Sequence, residues 1–187
     1  TGGSGFVGRN IIPKLQEAGY EVRALARSEK SQKAVKSYGA IPVKGDLTDF
    51  SSLKSAVEGC HMVVHAAAHM EFWGPEDPFL QINVNGTQNM LQAAEAAGVE
   101  KFLYIGAASV INGQAIHNRD ESFVPKQLPK DHYSRTKAWA EQEVVKANRP
   151  HFQTVVLRPP AIWGPHNHSV DMMIDRIKAG SWIWIGG

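Results

Sequence analysis

Short apolar runs alternate with longer amphipathic stretches along the chain. The apolar runs are rich in Val, Ile and Leu and are bounded by turn residues, which is typical of buried parallel strands. The stretches between them repeat apolar residues at helical spacing. The predicted strands are 21–26, 40–44, 61–66, 101–106 and 152–158. The predicted helices are 6–18, 29–37, 50–57, 79–97 and 133–147.

This alternation predicts an α/β fold, a doubly wound parallel sheet with helices on both faces. Glycines follow four of the helices, where a left-handed cap favours them: Gly19, Gly39, Gly59 and Gly98. No strand precedes the glycine-rich segment at Thr1, and the chain stops in an apolar run at 182–187. We therefore expect one domain over 1–187 whose first strand is missing, with 160–187 leading into an incomplete further portion.

Composition narrows the class of protein. With 43% hydrophobic and 20% charged residues, the 187-residue chain has the balance of one soluble globular domain. A formal net charge of +2 is too small for an extended nucleic-acid surface. No apolar stretch approaches the length of a membrane span, so we expect neither nucleic-acid nor membrane partners. The single cysteine, Cys60, favours a reducing, cytoplasmic setting.

A glycine-rich turn opens the chain. Gly2, Gly5 and Gly8 recur at three-residue spacing in the segment TGGSGFVG, directly before an amphipathic helix. Glycines here allow a sharp strand-to-helix turn and let backbone amides approach a pyrophosphate at the positive end of the helix. The segment therefore predicts a dinucleotide-binding site.

The residues after strand 21–26 bear on the choice of dinucleotide. Proteins that bind NAD commonly carry an acidic residue there, about 20 positions after the glycines, to hold the ribose 2′-hydroxyl. This chain has Arg27, which can pair with the 2′-phosphate of NADP. The position favours NADP(H), with Arg9 and Lys30 as further candidates for a basic patch, while Glu29 leaves NAD open.

Two further predicted strands end in residues suited to a cofactor. Asp46 and Leu47 follow strand 40–44, and Ala66, Ala67 and Ala68 follow or close strand 61–66. Ligands of open α/β sheets lie at the carboxyl ends of strands, and the small alanines would let a cofactor pass close to the backbone. Two interpretations of Asp46 stay open: a hydrogen bond to the adenine amino group, or a cap of the helix that starts at 50.

A tyrosine and a lysine later in the chain form a candidate acid–base pair. Tyr133 and Lys137 are four residues apart at the start of a predicted helix, so both project from one face. An ammonium near a phenol stabilises the phenolate, and we expect Lys137 to lower the pKa of Tyr133 from about 10 toward working pH. Such a pair suits proton transfer at a carbonyl or an alcohol.

These segments form an ordered set of motifs that covers nearly the whole chain. They are Thr1–Gly8, Gly45-Asp46-Leu47, His65-Ala66-Ala67-Ala68, Asn83-Val84-Asn85-Gly86-Thr87, Tyr133-x-x-x-Lys137 and Leu157-Arg158-Pro159-Pro160. In them the chain resembles the extended short-chain dehydrogenase/reductase family, which includes NAD-dependent epimerases/dehydratases and 3β-hydroxysteroid-dehydrogenase-like enzymes. The resemblance implies a Rossmann fold.

The resemblance also implies roles for single residues. Tyr133 would be the catalytic acid/base, and Lys137 its electrostatic partner and a ligand of the nicotinamide ribose. The segment that ends in Pro160 would lie near the nicotinamide. The candidate cofactor-binding residues are Gly2, Gly5, Phe6, Val7, Gly8, Arg27, Asp46, Leu47, Ala66, Ala67, Ala68, Asn83, Tyr133, Lys137 and Pro160.

One departure from the family pattern bears on the substrate. Sugar epimerases carry a serine where this chain has Ala107. Ser109, two residues on, becomes the candidate catalytic donor to the substrate oxygen, with a loop-capping hydroxyl as the alternative. The missing serine favours a substrate with apolar surface, and so do several apolar side chains. They are Met70, Phe72, Trp73 and Trp163.

The expected activity is hydride transfer between NADP(H) and a secondary alcohol or ketone. Two alternatives stay open: an NAD-dependent nucleotide-sugar epimerase or dehydratase, and a non-catalytic NADP-sensing module. Helices 79–97 and 133–147 are where the family commonly dimerises, so a homodimer is a further expectation. No metal is expected, because His166 and His168 have no further ligands nearby in the sequence.

Overall fold

The computed structural model describes residues 1–71, 73–111, 120–123 and 127–181, so Phe72 and the run at 182–187 lie outside the described residues. The strands are β1 (Arg23–Ala26), β2 (Ile41–Lys44), β3 (Met62–His65), β4 (Lys101–Ile105) and β5 (Gln153–Leu157). The α-helices are α1 (Phe6–Glu17), α2 (Glu29–Ser37), α3 (Phe50–Val57), α4 (Glu76–Phe79), α5 (Gly86–Ala96), α6 (His132–Lys146) and α7 (His168–Lys178). All five predicted strands are present, and each predicted helix except 79–97 is found nearly as expected.

All strand pairs are parallel, but the strands form two sheets. β1 pairs with β2, and β4 lies between β3 and β5. Thr1 lies beside β3: its amino group donates to the Val64 carbonyl oxygen (2.7 Å), and Ala66 N–H donates to the Thr1 carbonyl oxygen (3.3 Å). In the described ranges no strand pairs with both β1 and β3.

Side chains of β1 show that helices cover both faces of the sheet. Ala24 and Ala26 are buried in a cluster with Ile12 of α1 and Val35 of α2. The intervening Leu25 packs against a second cluster, built from α3, α5, α6 and the strands β3 and β4. Since successive residues of a strand point to opposite faces, β1 carries helices on both sides. The predicted doubly wound Rossmann fold is confirmed.

Polar caps fix where helices start. Asp49 accepts hydrogen bonds from the backbone N–H groups of Ser51 and Ser52 at the start of α3. Asp131 caps α6 in the same way through Ser134. The interpretation of Asp46 as the cap of α3 is therefore wrong, because Asp49 fills that position. The four glycines predicted to end helices all have positive φ: Gly19, Gly39, Gly59 and Gly98.

The predicted helix 79–97 differs most from the structure. It is divided into the end of α4, a π-helical segment (Leu80–Asn85) and α5. A π-helical turn carries an extra residue, and here it contains the buried Asn83, whose side chain bonds to other elements. The sequence predicts no element at 168–178, where the structure has helix α7.

Two kinds of feature are absent from the described ranges. No helix there combines the length and the apolar character that crossing a membrane requires. No group of three or more His, Cys, Asp or Glu side chains there is arranged to hold a metal ion.

Candidate active site

The glycine-rich turn packs tightly against the end of β3. Gly5 N–H donates to the Gly2 carbonyl oxygen (3.0 Å), and Gly2 has a φ of +72°. A β-carbon on Gly2 would lie 2.6 Å from the Ala66 carbonyl carbon, and one on Gly8 would lie 2.4 Å from the Gly2 oxygen. Both positions are closed to side chains. Helix α1 begins directly after Gly5 with no side-chain cap, so its first amide groups are open to an anion.

A cleft of about 660 Å³ runs from this turn along the carboxyl ends of β1, β2 and β3. It brings together residues of four sequence segments, which are the predicted cofactor residues Gly2, Gly5, Arg27, Asp46, Leu47, Ala66, Ala67 and Ala68. Other predicted residues lie outside its lining: Phe6, Val7, Gly8, Asn83, Tyr133, Lys137 and Pro160. The cleft thus holds most of the residues predicted to bind the pyrophosphate and adenosine, whereas the candidate catalytic residues Tyr133 and Lys137 lie outside its lining.

Sequence reasoning missed several residues of this lining: Ser4, Ser28, Ser31, Tyr38, His69 and Ile82. Ser28 and Ser31 adjoin Arg27 at the start of α2, so the strand-end rule could have found them. Tyr38 and Ile82 reach the cleft only through packing, and no local pattern marks them. Lys30 also lines the cleft, whereas the guanidinium of Arg9 lies 5.5 Å from the centre of the Tyr38 ring.

Arg27 stands at the rim of the cleft. Its side chain is 73% exposed, and its Nη1 lies 3.9 Å from Asp46 Oδ2. Asp46 Oδ1 accepts from the backbone N–H and the hydroxyl of Thr48 (3.0 and 2.9 Å). An exposed pair at this distance is weakly held, so Arg27 is able to turn toward a ligand. A second hollow of about 570 Å³ adjoins, lined by Arg27, Ser28, Lys44, Gly45, Asp46, Asp49 and Ser52.

A chain of hydrogen bonds behind the cleft fixes the protons of His65. Thr87 donates its hydroxyl proton to the Asn83 carbonyl oxygen (2.7 Å), so His65 Nε2 donates to Thr87 Oγ1 (3.0 Å). His65 Nδ1 then accepts from the Thr1 hydroxyl (2.8 Å), whose oxygen accepts from Ala67 N–H (3.3 Å). Burial holds the pKa of His65 well below its usual range, consistent with a neutral ring. These hydrogen bonds connect the backbone at Ala67, in the cleft, to the buried side chains of His65 and Thr87.

Asn83 joins the cleft to helix α6. Its Oδ1 accepts from His69 N–H (2.7 Å), and its Nδ2 donates to the His69 carbonyl oxygen (3.1 Å) and to the Thr136 hydroxyl (3.0 Å). The side chain is 1% exposed. The structure therefore shows Asn83 positioning a cleft segment and the helix that carries Tyr133 and Lys137.

Lys137 is buried one turn after Tyr133. Its Nζ donates to the carbonyl oxygen of Ile105, the last residue of β4 (2.7 Å), and lies 4.1 Å from the centre of the Tyr104 ring. Burial lowers the pKa of Lys137 to about 7, and the nearby Glu141 carboxylate opposes this shift. The ammonium is thus held at the carboxyl end of β4, and the cleft lies along the carboxyl ends of β1, β2 and β3.

The pKa of Tyr133 is raised, not lowered. Burial is the larger cause, and the Asp131 carboxylate adds to it. The prediction that Lys137 lowers this pKa is wrong for the protein without cofactor, because the ammonium is directed at Ile105 and Tyr104. Tyr133 is therefore a protonated phenol at neutral pH, the form that donates a proton.

Ser109 lies in a 3₁₀ turn (Ala108–Ile111) just after β4. Its Oγ is buried and, within the described part of the chain, has no hydrogen-bond partner. Among the described residues, no backbone group is therefore capped by the Ser109 hydroxyl, contrary to the alternative interpretation. A buried unpaired hydroxyl costs about 1–3 kcal/mol and is a common feature of functional sites.

Glu141 and Arg158 tie α6 to the end of β5. Arg158 donates through Nε and Nη2 to the Glu141 carboxylate, which is 7% exposed. Beyond them the backbone remains paired: Ala108 N–H donates to the Pro159 carbonyl oxygen (2.9 Å). Pro160 therefore follows directly on a segment that runs beside the Ser109 turn.

We expect Glu141→Ala to lower the free energy of unfolding by about 2 kcal/mol, because the partly buried Arg158, with a side chain 25% exposed, is left without its anion. Glu17→Ala, which removes the exposed pair with Lys14, is the control, with an expected loss below about 0.5 kcal/mol. Urea unfolding measures both. Equal losses in the two variants would contradict the role of the buried pair.

Comparison with known proteins gives consistent relatives. The model of the 3-beta hydroxysteroid dehydrogenase/isomerase family matches residues 1–184. The chain is 38% identical over 189 residues to the 4-hydroxy-2-methyl-3-oxo-4-farnesyl-3,4-dihydroquinoline-1-oxide ketoreductase of Stigmatella aurantiaca, covering 100% of this chain and 57% of that protein. It is 34% identical over 197 residues to a decarboxylating sterol-4-alpha-carboxylate 3-dehydrogenase of Dictyostelium discoideum, covering 100% of this chain and 60% of that protein.

A solved structure agrees with these matches. A short-chain dehydrogenase/reductase superfamily protein from Agrobacterium tumefaciens, determined with bound NAD, has a TM-score of 0.66 and 32% identity, covering 84% of this chain and 47% of that one. The chain therefore spans about half the length of the relatives it matches, between 47% and 60% of these three.

Proposed function

The chain belongs to the 3-beta hydroxysteroid dehydrogenase/isomerase family, within the extended short-chain dehydrogenases/reductases, and on that premise we propose that it transfers a hydride between NADP(H) and a secondary alcohol or ketone of apolar character. One observation carries the proposal. The glycine-lined cleft and the helix that bears Tyr133 and Lys137 are joined through Asn83, which bonds to both. A cofactor held in the first would be presented to the second.

The residues of the cleft fit a dinucleotide. Gly2 and Gly8 leave the backbone bare at the start of α1, where a pyrophosphate would bind. Ala66, Ala67 and Ala68 line the floor with small side chains. The nicotinamide, when bound, supplies or accepts the hydride. The protein supplies orientation, exclusion of water and the proton.

Three side chains would serve the substrate. Tyr133, held as a phenol, donates the proton that a ketone oxygen needs as it becomes an alcohol. Lys137, one helical turn away, is held at the end of β4, and its pKa of about 7 leaves part of the population charged at neutral pH. Ser109 offers a buried hydroxyl that has no hydrogen-bond partner among the described residues, which suits a donor to the developing oxyanion.

Arg27 supports NADP(H) as the cofactor. It is the exposed cation at the end of β1, and Lys30 lines the same part of the cleft. We expect Arg27→Ala to weaken NADPH binding by about tenfold and to leave NADH binding unchanged, because only NADPH carries the 2′-phosphate. Arg23→Ala, at the opposite end of the same strand, is the matched control. Fluorescence titration of both cofactors measures the effect, and a wild-type preference for NADH would contradict it.

Apolar side chains and relatives support an apolar substrate. Met70, Trp73 and Trp163 are 63%, 90% and 66% exposed, so their apolar surface is open to a ligand. The relatives' names describe reduction of a farnesyl-bearing quinoline and dehydrogenation of a sterol. A panel of sterol, alkyl and prenyl ketones assayed with NADPH against UDP-sugars tests the proposal. Turnover of the UDP-sugars alone would contradict it.

A further inference from the structure

Tyr104 lies against the catalytic lysine although no motif includes it. It is the largest of the fully buried side chains. Lys137 Nζ lies 4.1 Å from the centre of its ring, and the ring of His65 is stacked on it at 5.8 Å with an interplanar angle of 21°. The ring therefore contacts both a catalytic residue of α6 and the hydrogen-bond chain behind the cleft.

The hydroxyl of Tyr104 does not explain this placement. Tyr104 Oη is buried and, among the described residues, has no hydrogen-bond partner. Thr87 interacts with this hydroxyl only outside hydrogen-bond geometry, and its own hydroxyl bonds to Asn83 and His65. What Tyr104 provides is then its ring face.

Lys137 needs such a surface. The side chain is 2% exposed, so water cannot solvate the ammonium, and Ile105 is its one hydrogen-bond acceptor in the described ranges. The carboxylate of Glu141, on the same helix, is paired with Arg158, and His65 on β3 is neutral. The face of an aromatic ring carries negative potential and attracts a cation within about 6 Å.

We propose that Tyr104 is a positioning residue for Lys137: its ring face holds the ammonium at the end of β4, where it serves Tyr133 and the cofactor. The second half of this statement rests on the proposed function. The first half concerns the cofactor-free protein and stands or falls separately.

The test is the titration of the Lys137 ammonium by NMR in the full chain without cofactor, with Lys137→Met to assign its signal. Tyr104→Phe keeps the ring and loses only an unpaired hydroxyl, so we expect the wild-type midpoint. Tyr104→Leu removes the ring, and we expect the midpoint to fall by about one pH unit. An unchanged midpoint in Tyr104→Leu overturns the proposal.

If Tyr104→Leu does not fold, a second variant tests the same proposal. Replacing Tyr104 by trifluorinated phenylalanine keeps the shape of the phenylalanine ring and weakens its negative potential, so the midpoint should fall below that of Tyr104→Phe. Equal midpoints in these two variants overturn the proposal. In the same variants the alkaline limit of the kcat profile should move down with the midpoint. If the wild-type protein showed no reductase activity while the midpoints of Lys137 shifted as expected, the result would count against the proposed function alone.

Discussion

In Tyr133→Phe we expect kcat for ketone reduction to fall by about 1,000-fold with little change in NADPH affinity. The phenol is the group whose proton the reaction consumes, and its raised pKa keeps that proton in place at neutral pH. Phenylalanine fills the same space and leaves Lys137 bonded to Ile105. Steady-state kinetics and a fluorescence titration of NADPH measure the two quantities.

A matched control comes from an exposed tyrosine. Tyr20 is 57% exposed and lies beyond the end of α1, so Tyr20→Phe should leave kcat unchanged. Turnover by Tyr133→Phe at the rate of this control would show that another group donates the proton.

The second large effect concerns the turn. We expect Gly8→Ala to lower NADPH affinity by at least about 100-fold and to lower the free energy of unfolding by about 3 kcal/mol. A β-carbon there would lie 2.4 Å from the Gly2 oxygen and 2.4 Å from Gly3 Cα. Both are backbone atoms that no rotamer change can move, so the turn itself must shift.

Gly98→Ala separates this effect from ordinary strain. Gly98 has a φ of +74°, but its β-carbon would meet no atom within 4 Å. The variant should lose about 1–2 kcal/mol of stability and bind NADPH like the wild type. Gly8→Ala with wild-type affinity for NADPH would contradict the proposed pyrophosphate site.

The elements were predictable where one local signal dominates. Short apolar runs marked the strands, because a parallel sheet is buried on both faces, and period-3.6 patterns marked most helices, because one helix face is buried. The sequence predicted 79–97 as one helix because the π-helical segment Leu80–Asn85 keeps apolar residues at helical spacing. That spacing does not show that the segment contains a buried polar residue, Asn83. Asp46 was uncertain because it lies only three positions before Asp49, and the sequence cannot tell which carboxylate reaches the first amides of α3.

The candidate site divides in the same way. Arg27 and Ala67 were found from their places at strand ends, since ligands of open α/β sheets lie at the carboxyl edge, and Gly2 was found from the spacing of the glycines before α1. Tyr38 and Ile82 were missed because α2 and the π-helical segment bring them to the cleft only after packing.

By itself the sequence determined the α/β alternation, the bare turn before α1 and the Tyr133–Lys137 pair, since each depends on residues close together in the chain. Only the tertiary structure decided the ionisation of that pair. A pKa depends on burial and on the groups that packing sets around a side chain. Packing turns Lys137 toward Ile105 and Tyr104 of β4, and burial raises the pKa of Tyr133.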